Sequence, residues 1–336
     1  MHTKSTLSVI RRFLPFAICV FVLTLLTAPL FGVGAVEEPD QRSLSFGVLK
    51  GPTGLAALGL VEDDAPVSLE VFPSPDVIIA RVLGGDIDLA SLPTNVAARL
   101  YSEGIDYRLV GVTAWGALYL VSRDDSIDDF SDIVGKEVHL FGRNATPDIV
   151  SRVLLDQAGI TEEDVSLNYR FNQVELAQLL IAGEVDTALL PEPFVTRVLQ
   201  ADVGARIVVD FQAAWSQVQG GEGFGLPQGV VVAKSDLFEE QEDALARAAE
   251  AVEESIDWVV ANPEEASRNA DVDAGGIDIG LDPATAAAAI PRANLRYVPA
   301  SEAREALEAY FTQLLNLAPG AIGNTLPDDG FYAGIR

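Results

Sequence analysis

From Leu44 onward, short apolar runs alternate with stretches whose apolar positions recur at helical spacing. That alternation predicts an α/β chain in which mostly parallel strands are flanked by helices. The first unit reads L-S-F-G-V-L-K, then G-P-T-G, then L-A-A-L-G-L, and the same layout returns at K-E-V-H-L-F-G, R-N-A-T-P and D-I-V-S-R-V-L-L-D-Q-A-G. Each half continues through an apolar strand (S-L-E-V-F; V-S-L-N-Y-R-F) and a helix to a near-duplicate ending. G-D-I-D-L-A-S-L-P-T-N starts at Gly85, and G-E-V-D-T-A-L-L-P-E-P-F starts at Gly183. The duplication predicts two similar lobes. Gly85 and Gly183 suit the left-handed conformation that ends a helix, and the runs after Asp88 and Asp186 are apolar enough for strands buried on both faces. Pro93 and Pro191 then stop those strands.

Ligands of open α/β sheets gather beyond the carboxyl ends of strands, where helix N-termini expose backbone N–H groups. On that ground Thr53 and Gly54, Ser74 in F-P-S-P, and Thr94 and Asn95 are candidate ligand contacts in the first lobe. Arg143, Asn144 and Thr146 occupy the matching turn of the second lobe, and Glu192 and Phe194 follow its duplicated strand. Each has a plain structural alternative: Thr53, Ser74 and Asn95 as helix caps, Arg143 paired to a surface acid, Glu192 favouring a helix N-terminus. Trp115, beside Gly116, is either a flat wall for a ligand or core packing under a hinge, and Trp215 reads as helix packing.

Y-R-L-V-G-V-T-A-W-G-A-L-Y-L-V-S-R-D and L-P-Q-G-V-V-V-A-K-S-D read as extended crossings between lobes. The first lobe is then expected to comprise 36–113 and a mostly helical return, 235–336, with the second lobe at 114–234. Trp258, Tyr310 and Phe311 fall on apolar helix faces of the return.

The N-terminus changes the picture of location. Lys4, Arg11 and Arg12 precede an apolar stretch from Phe13 to Phe31 that closes on Val33-Gly34-Ala35, the pattern of a cleaved signal peptide over 1–35. A retained anchor is the alternative; Pro15 and Pro29 weigh against it. Cleavage would remove Cys19, the one cysteine, and His2, leaving His139 as the one histidine. A disulfide framework, a Cys/His metal site and a thiol nucleophile are thereby excluded, and no cofactor is expected. His139, in the alternating K-E-V-H-L-F, reads as a structural side chain. G-G-E-G-F-G (220 to 225) fails the dinucleotide spacing because Leu226 stands where the third glycine belongs.

The chain carries 50 acidic and 22 basic residues, a formal charge of -28. Such a field repels nucleic acid and anionic lipid. Dispersed like charges also repel one another, and salt screens that repulsion over roughly 10 Å at 0.1 M. The melting temperature is therefore expected to rise between dilute buffer and molar sodium chloride. An unchanged or lower value in differential scanning calorimetry would refute the acidic-surface argument.

The order of parts resembles the type II periplasmic solute-binding proteins of ABC importers, in the nitrate/sulfonate/taurine and thiamine-precursor branch. G-P-T-G (51 to 54), D-I-D-L-A-S-L-P-T-N (86 to 95), G-R-N-A-T-P (142 to 147), E-V-D-T-A-L-L-P-E-P-F (184 to 194) and L-P-D-D-G-F-Y (326 to 332) carry the resemblance. It implies two lobes closing on a small solute, sulfonate-like or a thiamine-precursor-like heterocycle, with delivery to membrane permease subunits and no chemistry performed. A monomeric periplasmic protein without a lipid anchor is expected. Two rivals share the scaffold: a sensory subunit reporting to a membrane receptor, and a pyrimidine-synthase-like enzyme whose cysteine-rich motif and histidines are missing here.

Overall fold

Leu44–Leu49 (β1), Val67–Phe72 (β2) and Leu89–Pro93 (β3) pair in parallel, each followed by a helix: Pro52–Ala56 (α1), Pro75–Gly84 (α2) and Thr94–Ser102 (α3). This is a computed structural model, and it describes residues 43–61, 65–221, 225–332 and 334. The signal peptide expected over 1–35 lies outside the described residues. Tyr107–Trp115 (β4) ends the first passage through this sheet, and Leu118–Ser122 (β5) opens a second sheet. There Glu137–His139 (β6), Thr146–Gln157 (α4), Ser166–Asn168 (β7), Gln173–Ala182 (α5), Thr187–Pro191 (β8) and Phe194–Gln200 (α6) repeat the strand–helix layout. Arg206–Asp210 (β9) and Phe211–Val218 (α7) complete it.

The chain then returns through Pro227–Lys234 (β10) to Leu237–Glu240 (α8), Glu242–Ala261 (α9), Pro263–Ala266 (α10), Pro283–Ala289 (α11), Leu295–Pro299 (β11) and Ala300–Leu317 (α12). The six-stranded sheet has the order β11-β4-β10-β3-β1-β2, and the five-stranded sheet β7-β6-β8-β5-β9. No helix among the described residues is long and apolar enough to cross a membrane.

Strand direction follows from how the chain crosses. β4 leaves the first sheet from the carboxyl edge, so the chain enters the second sheet from that edge and β5 must run antiparallel to β8. The return has the same constraint, and β10 runs antiparallel to both β3 and β4. The sheets change over at Gly116–Ala117 and again before Pro227, so β10, which the sequence reading allots to the second lobe, belongs to the first sheet.

The duplicated motif folds twice in the same way. Gly85 (φ 67°) and Gly183 (φ 76°) end α2 and α5 in the left-handed region. Each donates to the carbonyl three residues back, Val82 and Leu180, while the next residue donates to Arg81 or Leu179. These are paired Schellman closures. Pro93 and Pro191 are the last strand residues of β3 and β8. The aspartates diverge. Asp88 is 5% exposed and accepts from Ser45 N (3.0 Å), Ser45 Oγ (2.9 Å) and Lys234 Nζ (2.9 Å), tying β1, β3 and β10 together. Burial alone would lift its carboxyl, but Lys234 and Ser45 outweigh it and hold the group below the usual carboxylate range. Asp186 stays exposed, 3.8 Å from Arg123.

One apolar cluster runs through both lobes, joining Leu92 and Leu109 of the first sheet, Leu118 and Leu189 of the second, Trp215 of α7, and Tyr310 and Phe311 of α12. A second lies between the first sheet and α9, with Phe46, Leu245, Val252 and Ile256, and a third packs α5 and α6 on the second sheet through Leu176, Leu180 and Val195. Trp215, Tyr310 and Phe311 are packing residues, as their helical spacing predicts.

Candidate functional site

β1, β2, β7 and β8 all point their carboxyl ends at one cavity of about 420 Å³. The first lobe lines it with residues 50–52 and Pro73, the second with Gln173, Val174, 191–194 and Arg197, and the returning segment with 279–281. Lys50 Nζ lies 2.6 Å from Asp278 on the rim, and that ammonium draws the Asp278 carboxyl below its ordinary value. Arg197 donates from Nη2 to the Gly280 carbonyl (3.1 Å), linking α6 to the return.

Of the residues singled out from sequence, Glu192 and Phe194 line this cavity. Phe194 is half-buried with the Arg197 guanidinium 5.8 Å from its ring centre. Glu192 is 1% exposed, and its carboxylate is already engaged. Oε1 accepts from Arg292 Nε (2.7 Å) and Thr196 Oγ1 (3.0 Å), and Oε2 accepts from the Thr196 N–H (3.2 Å). The expectation of an open acceptor for a solute amine is corrected here: the side chain turns inward, holds Arg292 and caps the first turn of α6. Burial pushes its carboxyl above the ordinary range, against the pull of Arg292 and Thr196.

Asn95 and Thr146 are brought together across the lobes. Thr146 Oγ1 lies 3.4 Å from Asn95 Oδ1 and 2.6 Å from the Tyr310 hydroxyl, so α3, α4 and α12 meet at one point. Thr94, at the head of α3, is 1% exposed, and its hydroxyl has no hydrogen-bond partner among the described residues. Thr53 closes its own turn, donating to the Leu49 carbonyl (3.0 Å) and accepting from the Leu49 N–H (3.1 Å). Gly54 is buried where a Cβ would lie 2.9 Å from Ile279 Cγ2, a close approach that only glycine permits without a shift. Ser74 is the N-cap residue of α2 without a side-chain cap bond.

Asn144 takes φ 62° and donates its N–H to Asp148 Oδ2 (2.6 Å), while Arg143 is exposed and stacks on Tyr169 at 4.9 Å. Trp115 is 4% exposed: its indole N–H donates to the Arg296 carbonyl (2.9 Å) and the Arg296 guanidinium lies 4.9 Å from its ring. A Cβ added at Gly225 would come within 2.3 Å of Trp115 Cε3. The ring is covered, so the structure gives Trp115 to packing under the crossing and not to an open stacking wall. His139 is buried on β6 beside Phe171, with Glu137 Oε2 3.7 Å from Nε2, and does not line the cavity.

Sequence reasoning missed Lys50, Arg197 and Arg292. Lys50, immediately before G-P-T-G, and Arg197, one helical turn beyond Phe194, carried a local signal in their positions; Arg292, a hundred residues from its partner, carried none.

A sequence profile of the NMT1/THI5 like family matches residues 78–266. Among solved structures, an ABC transporter protein from Parabacteroides distasonis is 29% identical with a TM-score of 0.72, over 86% of this chain and 98% of its own. The periplasmic aliphatic sulphonate binding protein SsuA from Escherichia coli is 18% identical with a TM-score of 0.63, over 84% of this chain and 90% of its own. The desulfurization enzyme DSZB is 16% identical with a TM-score of 0.56, over 85% of this chain and 94% of its own. At their level of identity the last two speak for the fold alone. A sequence comparison with curated proteins gives no match.

Proposed function

The chain belongs to the NMT1/THI5 like family and has the two-lobed type II fold of periplasmic binding proteins, and from that premise we propose that it is the extracytoplasmic solute-binding subunit of an ABC importer. It captures a small organic solute in the interlobe cavity and hands it to a permease. The observation that carries this reading is the cavity itself. Its walls come from both lobes at the carboxyl ends of parallel strands, and its volume of about 420 Å³ suits a small organic molecule. The likeness to an ABC transporter protein along 98% of that protein's length supports it.

DSZB shows that this fold also carries catalysis, so an enzyme is the second reading. Against it, the one histidine among the described residues, His139, is packed on β6 away from the cavity, out of reach of a triad there.

A thermal-shift screen of the chain from residue 36 against alkanesulfonates, carboxylates and aminopyrimidines tests the proposal. A true solute at about 100 times its dissociation constant stabilises by about 2.7 kcal/mol. Small-angle scattering with that solute should show a more compact particle, since a ligand touching both lobes favours closure by its differential affinity. A complete absence of binders, or turnover that disappears on His139→Ala, would overturn it.

A further inference from the structure

A second pocket, of about 360 Å³, opens at the other end of the first lobe, between α9, the turn Leu58–Leu60 and the start of β2. Pro66, immediately before β2, lines this pocket, and Pro73, immediately after it, lines the interlobe cavity. The length of the strand, roughly 20 Å, therefore separates the two.

The pocket exists because α9 fits the turn unevenly. At Ser255 the helix sits hard against it: a Cβ added at Gly59 would lie 2.8 Å from Ser255 Cα, and Ser255 Oγ accepts from the Gly59 N–H (3.1 Å) while donating to the Ala56 carbonyl (2.7 Å). One turn earlier, the methyl group of Ala251 is too short to fill the space it lines. Trp258, half-buried, packs on the core cluster between the first sheet and α9 and also lines the pocket.

The polar side chains of the lining differ in what they still lack. Ser255 is engaged as donor and acceptor. Asn269 donates from Nδ2 to the Leu58 carbonyl (2.8 Å), and its Oδ1 has no partner among the described residues. Glu254, one turn before Trp258 on the same face of α9, has neither an ion pair nor a side-chain hydrogen bond among the described residues. Apart from the indole N–H of Trp258, the groups left unpaired are thus acceptors, one of them charged, beside an aromatic ring. The complement of that set is a cation rich in N–H groups: it donates to a carboxylate, and a guanidinium also stacks on an indole face.

We infer that this pocket is a second ligand site, for a small organic cation of the guanidinium or primary-amine class, with Trp258 covering its face and Glu254 and Asn269 accepting its N–H groups. The site goes beyond the importer reading and does not depend on what the interlobe cavity holds. The field of the chain favours it, since a formal charge of -28 concentrates cations at the surface.

Propylguanidinium chloride and its neutral counterpart propylurea serve as probes, read at the Trp258 indole N–H signal of the ¹⁵N-labelled protein at constant ionic strength, with Trp258→Phe assigning the signal. Propylguanidinium should shift that signal along a saturable curve and leave those of Trp115 and Trp215, both buried, in place. Propylurea should bind at least about tenfold more weakly, and so should propylguanidinium to Glu254→Gln, because each change removes the charge from one side of a charge-assisted hydrogen bond. Glu305→Gln, which removes one charge from the exposed face of α12, should leave the affinity unchanged. A shift that does not saturate, an equal response to propylurea, equal affinities for wild type and Glu254→Gln, or a matching loss in Glu305→Gln overturns the inference.

Discussion

Arg292→Ala is expected to lower the unfolding free energy by about 3 kcal/mol at pH 8, the low end of the range for breaking a buried ion pair. The low end applies because the Arg292 side chain is 32% exposed, so water reaches the space it leaves, whereas the Glu192 side chain is 0% exposed. The cost comes from the carboxylate left behind without the Arg292 Nε–H donor, and from Thr196 Oγ1 losing the Nη2–H that it accepts. Its sign with pH follows from Glu192. Burial already holds that carboxyl above the ordinary range while Arg292 pulls it down, and removal of Arg292 lifts it further. An acid whose folded pKa exceeds its unfolded one binds more protons when folded, so stability falls as pH rises from the unfolded value, roughly 4.3, through the folded one. The deficit of Arg292→Ala should therefore be smaller at pH 5 than at pH 8 in urea melts. Glu192→Gln in the same chain should restore part of it. Equal deficits at both pH values, or no rescue by Glu192→Gln, would show that the pair is not the source.

The second large effect is expected at Trp215. The side chain is 0% exposed and stands edge-on to Tyr310 with ring centres 6.1 Å apart, inside the cluster that joins both lobes. Trp215→Ala should cost about 3–5 kcal/mol, through lost burial and the void that close-packed neighbours fill only in part. The buried indole N–H has no hydrogen-bond partner among the described residues. Trp215→Phe removes that unsatisfied donor along with some volume, so its loss should be well under half that of the alanine variant. A loss below about 1.5 kcal/mol for Trp215→Ala in the same melts would mean that the lobes are not held by this cluster.

The sequence made the layered fold legible because its signals are local. Gly85 and Gly183 mark helix ends by their conformational freedom, Pro93 and Pro191 mark strand ends, and the spacing that places Tyr310 and Phe311 on a buried helix face lies within a few turns. Strand direction and partner choice are set by distant residues. Nothing in L-P-Q-G-V-V-V-A-K-S-D says that it inserts between β3 and β4, and nothing near Glu192 announces Arg292. The same applies to Trp115, whose exposure depends on Arg296 from the far end of the chain. Of the candidate residues chosen for their place at strand ends, Glu192 and Phe194 line the cavity. Which way each side chain turns was decided by partners that no local pattern encodes.

The insertion of β10 between β3 and β4 bears on how the chain comes to be folded at all. The first four strands precede residue 116, yet β3 and β4 share no hydrogen bonds with each other, and the strand that joins them ends at Lys234. The outer neighbour of β4, β11, comes later still, and the Leu109 N–H finds its acceptor on Phe331, near the end of the chain. An emerging chain therefore holds two unsatisfied strand edges until most of it has been made, and contacts so far apart in sequence form slowly. Completion of the first lobe therefore waits on β10 and β11, which follow all the strands of the second sheet along the chain.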